Sequence, residues 1–242
     1  MTLAIHLYRR MMRRGRVISL LALSSVPALA FWLTAFDAQR DQNARLFSEV
    51  IATVGLSYAI AALILTVATL REERDSGTLP YIYMRPIGRL PMALSSMAAG
   101  IAAALTLGLG GWLVSVLAVL SVGGDLSIAL PALAQFVIAG VGYAAVFVPL
   151  GYLVPRSVLA GLGYIVVVES ILANVVTGLA QISIWRIALS VYADLAVDFT
   201  GDAADVLGPV TPGVGGGLVK IVAVLVVGVT VLTWALRRRD AL

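Results

Sequence analysis

The chain has no cysteine, one histidine and one lysine, and only 12% of its 242 residues are charged. The first absence excludes disulfides and thiolate chemistry. A single histidine, His6, makes neither a metal site nor a Ser-His-Asp set. Also absent is a phosphate-cradling Gly-x-x-x-x-Gly-Lys-Ser/Thr loop. Gly215-Gly216-Gly217-Leu218-Val219-Lys220 comes nearest, but Val219 precedes the lysine, Ile221 follows it, and the stretch enters an apolar run. No paired carboxylates face an evident cleft, and nothing marks a nucleic-acid partner. An enzyme acting alone is therefore not expected.

What is present is apolar: 60% of the residues are hydrophobic and 12% charged, against about 25% charged in an ordinary soluble domain. Crossing a ~30 Å hydrocarbon layer takes about 20 residues at ~1.5 Å each. Six stretches have that length: 17–36, 50–70, 92–120, 129–154, 158–180 and 217–236. The expectation is an all-α polytopic membrane protein with six transmembrane helices and no separate soluble domain. The third and fourth stretches are long enough to tilt or project. Gly123-Gly124-Asp125 and Pro155-Arg156-Ser157 separate spans; Pro131 lies near a helix start, and Pro27 and Pro149 predict kinks. Gly100, Gly108, Gly110, Gly111, Gly161 and Gly163 permit close helix approach.

Arginines set the orientation, because positive residues in short loops favour the cytoplasm. With both termini inside, 13 arginines fall on the inner side and three (Arg40, Arg45, Arg186) on the outer. That places the chain in a prokaryotic inner membrane with both ends cytoplasmic. The basic start and Ala28-Leu29-Ala30 also resemble a cleavable secretory signal. The apolar run continues through Phe31-Trp32-Leu33, however, as a full span would.

Residues 1–16 form their own unit. Leu3, Leu7, Tyr8, Met11 and Met12 share one helical face; His6, Arg9, Arg10 and Arg13 share the other, with Arg14 following. Such a helix lies in the membrane surface with its arginines toward anionic headgroups. The alternative is a basic leader that only fixes topology. The remainder, 17–242, is the transmembrane unit, with an inner loop at 71–91 and an outer loop at 181–216.

The inner loop holds Arg71, Arg74, Arg85 and Arg89 with Glu72, Glu73 and Asp75, a charged island between two apolar runs. Gly77 permits a tight turn, Thr78 can cap a short helix from Leu79, and Pro86 would end it. On chemistry alone a solvated loop explains the island equally well. The run Glu73-Arg74-Asp75-Ser76-Gly77-Thr78-Leu79, with Pro86 and Arg89 beyond it, resembles the cytoplasmic loop of ATP-binding-cassette (ABC) permeases of the type 2 exporter family. Its place between the second and third of six spans resembles the family's too. Pro80 departs from the pattern and leaves the helix start open.

The resemblance implies that this loop is a coupling helix seated on a separate ATPase subunit, with Glu73 and Arg74 as contacts and Gly77-Thr78 setting the turn. ATP and magnesium would sit on that partner, with no cofactor on this chain. It further implies a permease that dimerises, most economically as a homodimer, and exports a solute. A non-transporting membrane assembly or immunity factor using the same loop is the alternative. An ion-driven carrier would need inverted repeats and more intramembrane charge.

Within the spans, Glu169 is the deep acid, with Ser170, Asn174 and Thr177 nearby. It has three readings: helix packing through hydrogen bonds, a substrate path, or a proton relay, which the lack of a second buried acid disfavours. Gln135 is a weaker candidate of the same kind. In the outer loop, Trp185, Leu189, Tyr192, Leu195, Ala196 and Phe199 share a face, with Arg186, Asp194 and Asp198 elsewhere. This suits a helix dipping into the interface, either as an anchor or, by resemblance, as an element closing the exit. Gly213–Gly217 are expected to be flexible and Lys220 to snorkel to outer headgroups. Nearly uncharged spans favour amphiphilic cargo, weakly.

Overall fold

The computed structural model describes residues 2–35, 42–75, 88–175, 177–196, 199, 202–208 and 211–238. Every regular element among them is helical: α1 (Thr2–Met11), α2 (Arg14–Ser24), α3 (Val26–Thr34), α4 (Asn43–Val54), α5 (Leu56–Asp75), α6 (Arg89–Ser121) and α7 (Ala129–Leu153). The later elements are α8 (Ser157–Gly163), a π-helical stretch Tyr164–Leu172, α9 (Ile184–Leu195), α10 (Asp202–Leu207) and α11 (Gly213–Arg238). Short helical turns fill Ala173–Val175 and Thr177–Ala180.

Three helices are long and apolar enough to cross a membrane singly: α6, α7 with its leading 3₁₀ turn, and α11. Counting each of two bent pairs as one span raises the number to as many as five. α2 and α3 meet at 41°, and α4 and α5 at 47°. The first bend falls at Ser25, with Pro27 opening the second helix, where the sequence predicts a kink. The second falls at Gly55, and its span starts at Asn43 rather than residue 50. The stretch expected at 158–180 holds a shorter apolar helix, Ser157–Leu172, π-helical in its second half. Pro149 lies inside α7 without ending it. A proline has no N–H for the carbonyl four residues back. That carbonyl, Ala145 O, meets the backbone of Gly228 so closely that a Cβ there would come within 2.3 Å.

α7 occupies the centre, packed by α5, α6, α9 and α11. Its span is 67% buried, against 22% for α11, which lies at the periphery. Most of the glycines expected at contacts are there. Gly100 faces Val148, Gly108 the Tyr58 ring, Gly110 Leu21, Gly111 the Ser24 backbone and Gly161 Leu63, while Gly163 faces open space.

Two expectations for the last span fail. Gly213–Gly217 form the first turns of α11 rather than a flexible entrance. An Asp194 carboxylate oxygen accepts from Val214 N at 2.8 Å and satisfies one of that helix's orphan donors. Lys220 does not snorkel: Nζ donates to Gln181 O at 3.1 Å and to Gln181 Oε1 at 2.7 Å.

Candidate functional site

The arginine-rich end is built by α1, the start of α2 and the end of α5. The apolar face of α1 packs on protein rather than lipid: Leu7 and Met11 are buried, and Tyr8 Oη lies 3.0 Å from Thr106 Oγ1 of α6. Arg9, Arg13 and Arg14 stay exposed as expected. Arg10 instead turns inward. Its Nη1 donates to Glu73 Oε1 at 2.6 Å, and its Nε lies 3.7 Å from Glu72 Oε2. His6 Nε2 stands 3.6 Å from the same Glu73 oxygen, and Arg16 Nη2 is 2.5 Å from Glu72 Oε1.

α5 stays helical through Asp75, so Glu73, Arg74 and Asp75 form its last turn rather than a loop. Glu73 is only 1% exposed. In this structure it is an internal partner of α1 and presents no contact surface, because a carboxylate beside a guanidinium loses least by burial when the two are paired. Ser76, Gly77, Thr78, Leu79 and Pro86 lie outside the described residues, as do the side chains of Arg74 and Asp75. Arg89 is the first residue of α6, after Gly88 in extended conformation.

The second constellation surrounds Glu169, in the π-helical stretch and 5% exposed. Its Oε1 accepts from Ile184 N at 3.0 Å and from Tyr164 Oη at 3.1 Å. Its Oε2 accepts from the Ser183 hydroxyl and from Trp185 N at 3.3 Å. Those two amides are the first of α9. Ser183 is its N-cap, accepting from Arg186 N at 3.2 Å while donating to Glu169. A helix leaves its first amides unpaired and carries partial positive charge at that end. The carboxylate answers both needs.

α9 is thereby fixed at its buried start, and its side chains fix it elsewhere. The Trp185 indole Nε1 donates to Ala52 O in α4 at 3.2 Å. The same ring fills the notch where the second span bends, so closely that a Cβ on Gly55 would lie 2.2 Å from it. Tyr192 Oη meets Ser48 Oγ at 3.1 Å, and burial pushes this phenol up to about 12. Of the expected polar face, Asp194 is exposed and Asp198 lies outside the described residues, but Arg186 is 6% exposed, with Nη1 donating to Leu207 O at 3.4 Å. Its burial lowers its pKa. α9 is thus a buried element wedged among α4, α7 and α11, not an interfacial anchor.

The other two path candidates do not join Glu169. Gln135 sits in α7, 1% exposed, and both its amide atoms lack a hydrogen-bond partner among the described residues. The Asn174 side chain lies outside the described residues. Sequence reasoning missed Ser183 and Gly55. A serine directly before an apolar-periodic run is a helix-start signal that points to the first; an isolated glycine inside a span only hints at the second.

A family model described as ABC-2 family transporter protein matches residues 12–172. The match takes in α2 through the π-helical stretch, including the island and Glu169, and ends before α9. No curated protein and no solved structure matches the chain.

Proposed function

Because the chain belongs to the ABC-2 family of transporter membrane proteins, we propose that it is the permease subunit of an ABC exporter. In this reading it spans the membrane six times with both termini cytoplasmic. It works as a homodimer driven by a separate ATPase that holds ATP and magnesium. Residues 74–79 with Pro86 and Arg89 form the docking element for that ATPase, and Glu73 ties its root to α1. Within residues 1–16, α1 braces the same face.

The observation that carries the mechanism is the course of α5. It runs unbroken from Leu56 to Asp75, about 30 Å at ~1.5 Å per residue. One end continues into the island, where Glu73 is tied to α1. The other abuts the Gly55 notch that Trp185 of α9 fills. A displacement of the island by an ATPase is passed along a stiff rod to the bend. There it bears on α9, which Glu169 holds by its first turn. In this reading α9 closes the exit, and Glu169 positions it without touching cargo.

The test is affinity purification of the full chain from its native membranes. The wild type should bring down a Walker-motif ATPase whose turnover depends on the permease. Gly77→Pro, which forbids the turn beside Arg74, should lose the ATPase while membrane abundance holds. A wild-type chain that co-purifies no ATPase overturns the proposal.

A further inference from the structure

We propose that the groove between the start of α6 and the end of α11 binds an anionic phospholipid, its headgroup phosphate on Arg237 and an acyl chain along α11. The groove holds roughly 640 Å³ of empty space. Leu90 forms one wall, Val229, Thr230, Thr233 and Trp234 form the other, and Arg237 stands at one end. This goes beyond the coupling role and does not depend on what drives the permease.

The two helices are locked together on a different side. Met92 and Ala93 of α6 pack in one buried cluster with Leu232, Ala235 and Leu236 of α11. The groove residues of α11 occupy the remaining face, at positions i, i+1, i+4, i+5 and i+8 of one helical stripe. From Val229 to Arg237 that stripe is about 12 Å long at ~1.5 Å per residue.

The floor of the trough is apolar in effect. Thr230 Oγ1 donates to Val226 O at 2.8 Å and Thr233 Oγ1 to Val229 O at 2.7 Å. Each hydroxyl has one proton to give, and both are spent inside α11. Apart from the Trp234 indole N–H, the walls offer a ligand no donor. A sugar or a nucleotide would bury polar groups there without partners; methylenes need none.

Depth and charge select the headgroup. Trp234 is 50% exposed, one turn before Arg237 and Arg238 at the end of α11. An aromatic ring followed by basic residues at the end of a span marks the level of the headgroups. The Arg238 guanidinium lies over the Trp234 ring at 4.5 Å and steadies that wall. Arg237 is exposed and makes no hydrogen bond or ion pair with the described residues, and no acidic side chain lines the groove. Arg89, beside Leu90, has interactions of its own and is not needed. A guanidinium left with its whole fork of donors suits phosphate oxygens. Free phosphate would touch Arg237 alone; a lipid fills the trough as well.

The experiment adds dioleoyl phosphatidylglycerol or dioleoyl phosphatidylcholine to the purified full chain in detergent and counts retained lipid by native mass spectrometry. Phosphatidylglycerol should be retained preferentially. Arg237→Gln should weaken its retention about fivefold, the scale of one basic residue at a lipid surface, and Arg237→Lys should lose less. Thr230→Phe fills the trough and leaves every charge in place; it too should lose the lipid. Val222→Phe, exposed on the same helix but outside the groove, should retain lipid as the wild type does. A melting curve for each variant checks that the fold holds. Equal retention of the two lipids overturns the proposal, as does unchanged retention in Arg237→Gln or Thr230→Phe, or an equal loss in Val222→Phe. Full competition by glycerol phosphate makes the site one for soluble phosphate and overturns it too. So does a Thr230→Phe chain that loses a dimer but keeps its lipid, because the groove then belongs to a second copy.

Discussion

Replacing Glu169 separates a cap from a cargo contact, because its four bonds are distributed in a particular way. Each carboxylate oxygen accepts one backbone amide and one hydroxyl. Glutamine keeps one acceptor oxygen and puts an NH₂ in place of the other. Hydroxyls can turn and accept from that NH₂; a backbone amide cannot. One amide is therefore stranded, and the longer bond, from Trp185 N at 3.3 Å, is the one given up. A stranded buried donor costs about 1–3 kcal/mol. Losing a charge at a partly buried helix N-terminus adds up to ~2 kcal/mol. Glu169→Gln should thus lower stability by about 2–3 kcal/mol. Glu169→Ala, which strands both amides, should cost about 4–6 kcal/mol on the same scale. Unfolding of the purified chain in mixed micelles gives the totals, and hydrogen exchange at the Ile184 and Trp185 amides gives the locality. Exchange should accelerate there first, with α6 unaffected. If Glu169→Gln keeps wild-type stability and protected amides while export falls, the capping argument is refuted and Glu169 belongs to the path.

Three further perturbations follow from the same geometry. Gly55→Ala drives a methyl into the Trp185 ring and should cost about 1–3 kcal/mol, as overpacking does; combined with Trp185→Phe it should cost less than the sum, and strict additivity in the double-mutant cycle would show that the ring does not seat in the notch. Arg10→Ala leaves the Glu73 carboxylate buried without its guanidinium and should cost about 3 kcal/mol. Limited proteolysis should then release α1, whereas an α1 as protected as in the wild type argues against the pair. Gln135→Leu removes two buried polar atoms without partners and should be neutral or stabilising by about 1 kcal/mol; a lower melting temperature would mean that the amide has a partner in the folded protein.

The parts of the fold legible in the sequence are those that composition alone decides. Length and apolarity located the three helices long enough to cross singly, Pro27 located the first bend, and five of the six glycines named for close approach make one. The site was legible only as a set of odd residues. Glu169 stood out because an acid in a span is rare, but its partners Ser183, Ile184 and Trp185 lie 14–16 residues on in what reads as a loop. Glu73 shows the converse error. Its neighbours in sequence are charged, which suggested a surface, yet helix geometry turns it inward toward Arg10, with Glu72 beside it. Arg186 misled for the same reason: a periodic apolar face was visible, but α10 and Leu207 O, which cover the opposite face, come from a separate segment. Local pattern reports which residues share a face, and only the assembled chain reports what that face meets.

The bends themselves are arranged by one physical constraint. Within a membrane no water can take over the hydrogen bonds of a broken helix, so irregular backbone persists only where protein covers it. Contacts place the breaks at one depth. Ser24, at the first bend, meets Gly111; Tyr58, three residues past the second, meets Gly108 and Gly140; Ile184, at the start of α9, meets Gly142. Glycines on the straight helices α6 and α7 open room at that level for the interrupted elements. Side chains then cover the breaks locally: Ser25 Oγ adds a second bond at 2.8 Å to Leu21 O, which already accepts from Ser25 N, Trp185 covers Gly55, and Glu169 caps α9. On one side of this level α3, α4 and α9 are short pieces joined by side chains among the continuous α6, α7 and α11; on the other, α5 runs unbroken beside them. If the island moves as proposed, these joints are where the movement is taken up. Severing those joints one at a time, beginning with Trp185→Ala, should loosen the short pieces in hydrogen exchange while α5 keeps its protection. Loss of protection along α5 as well would mean that the two sides unfold as one.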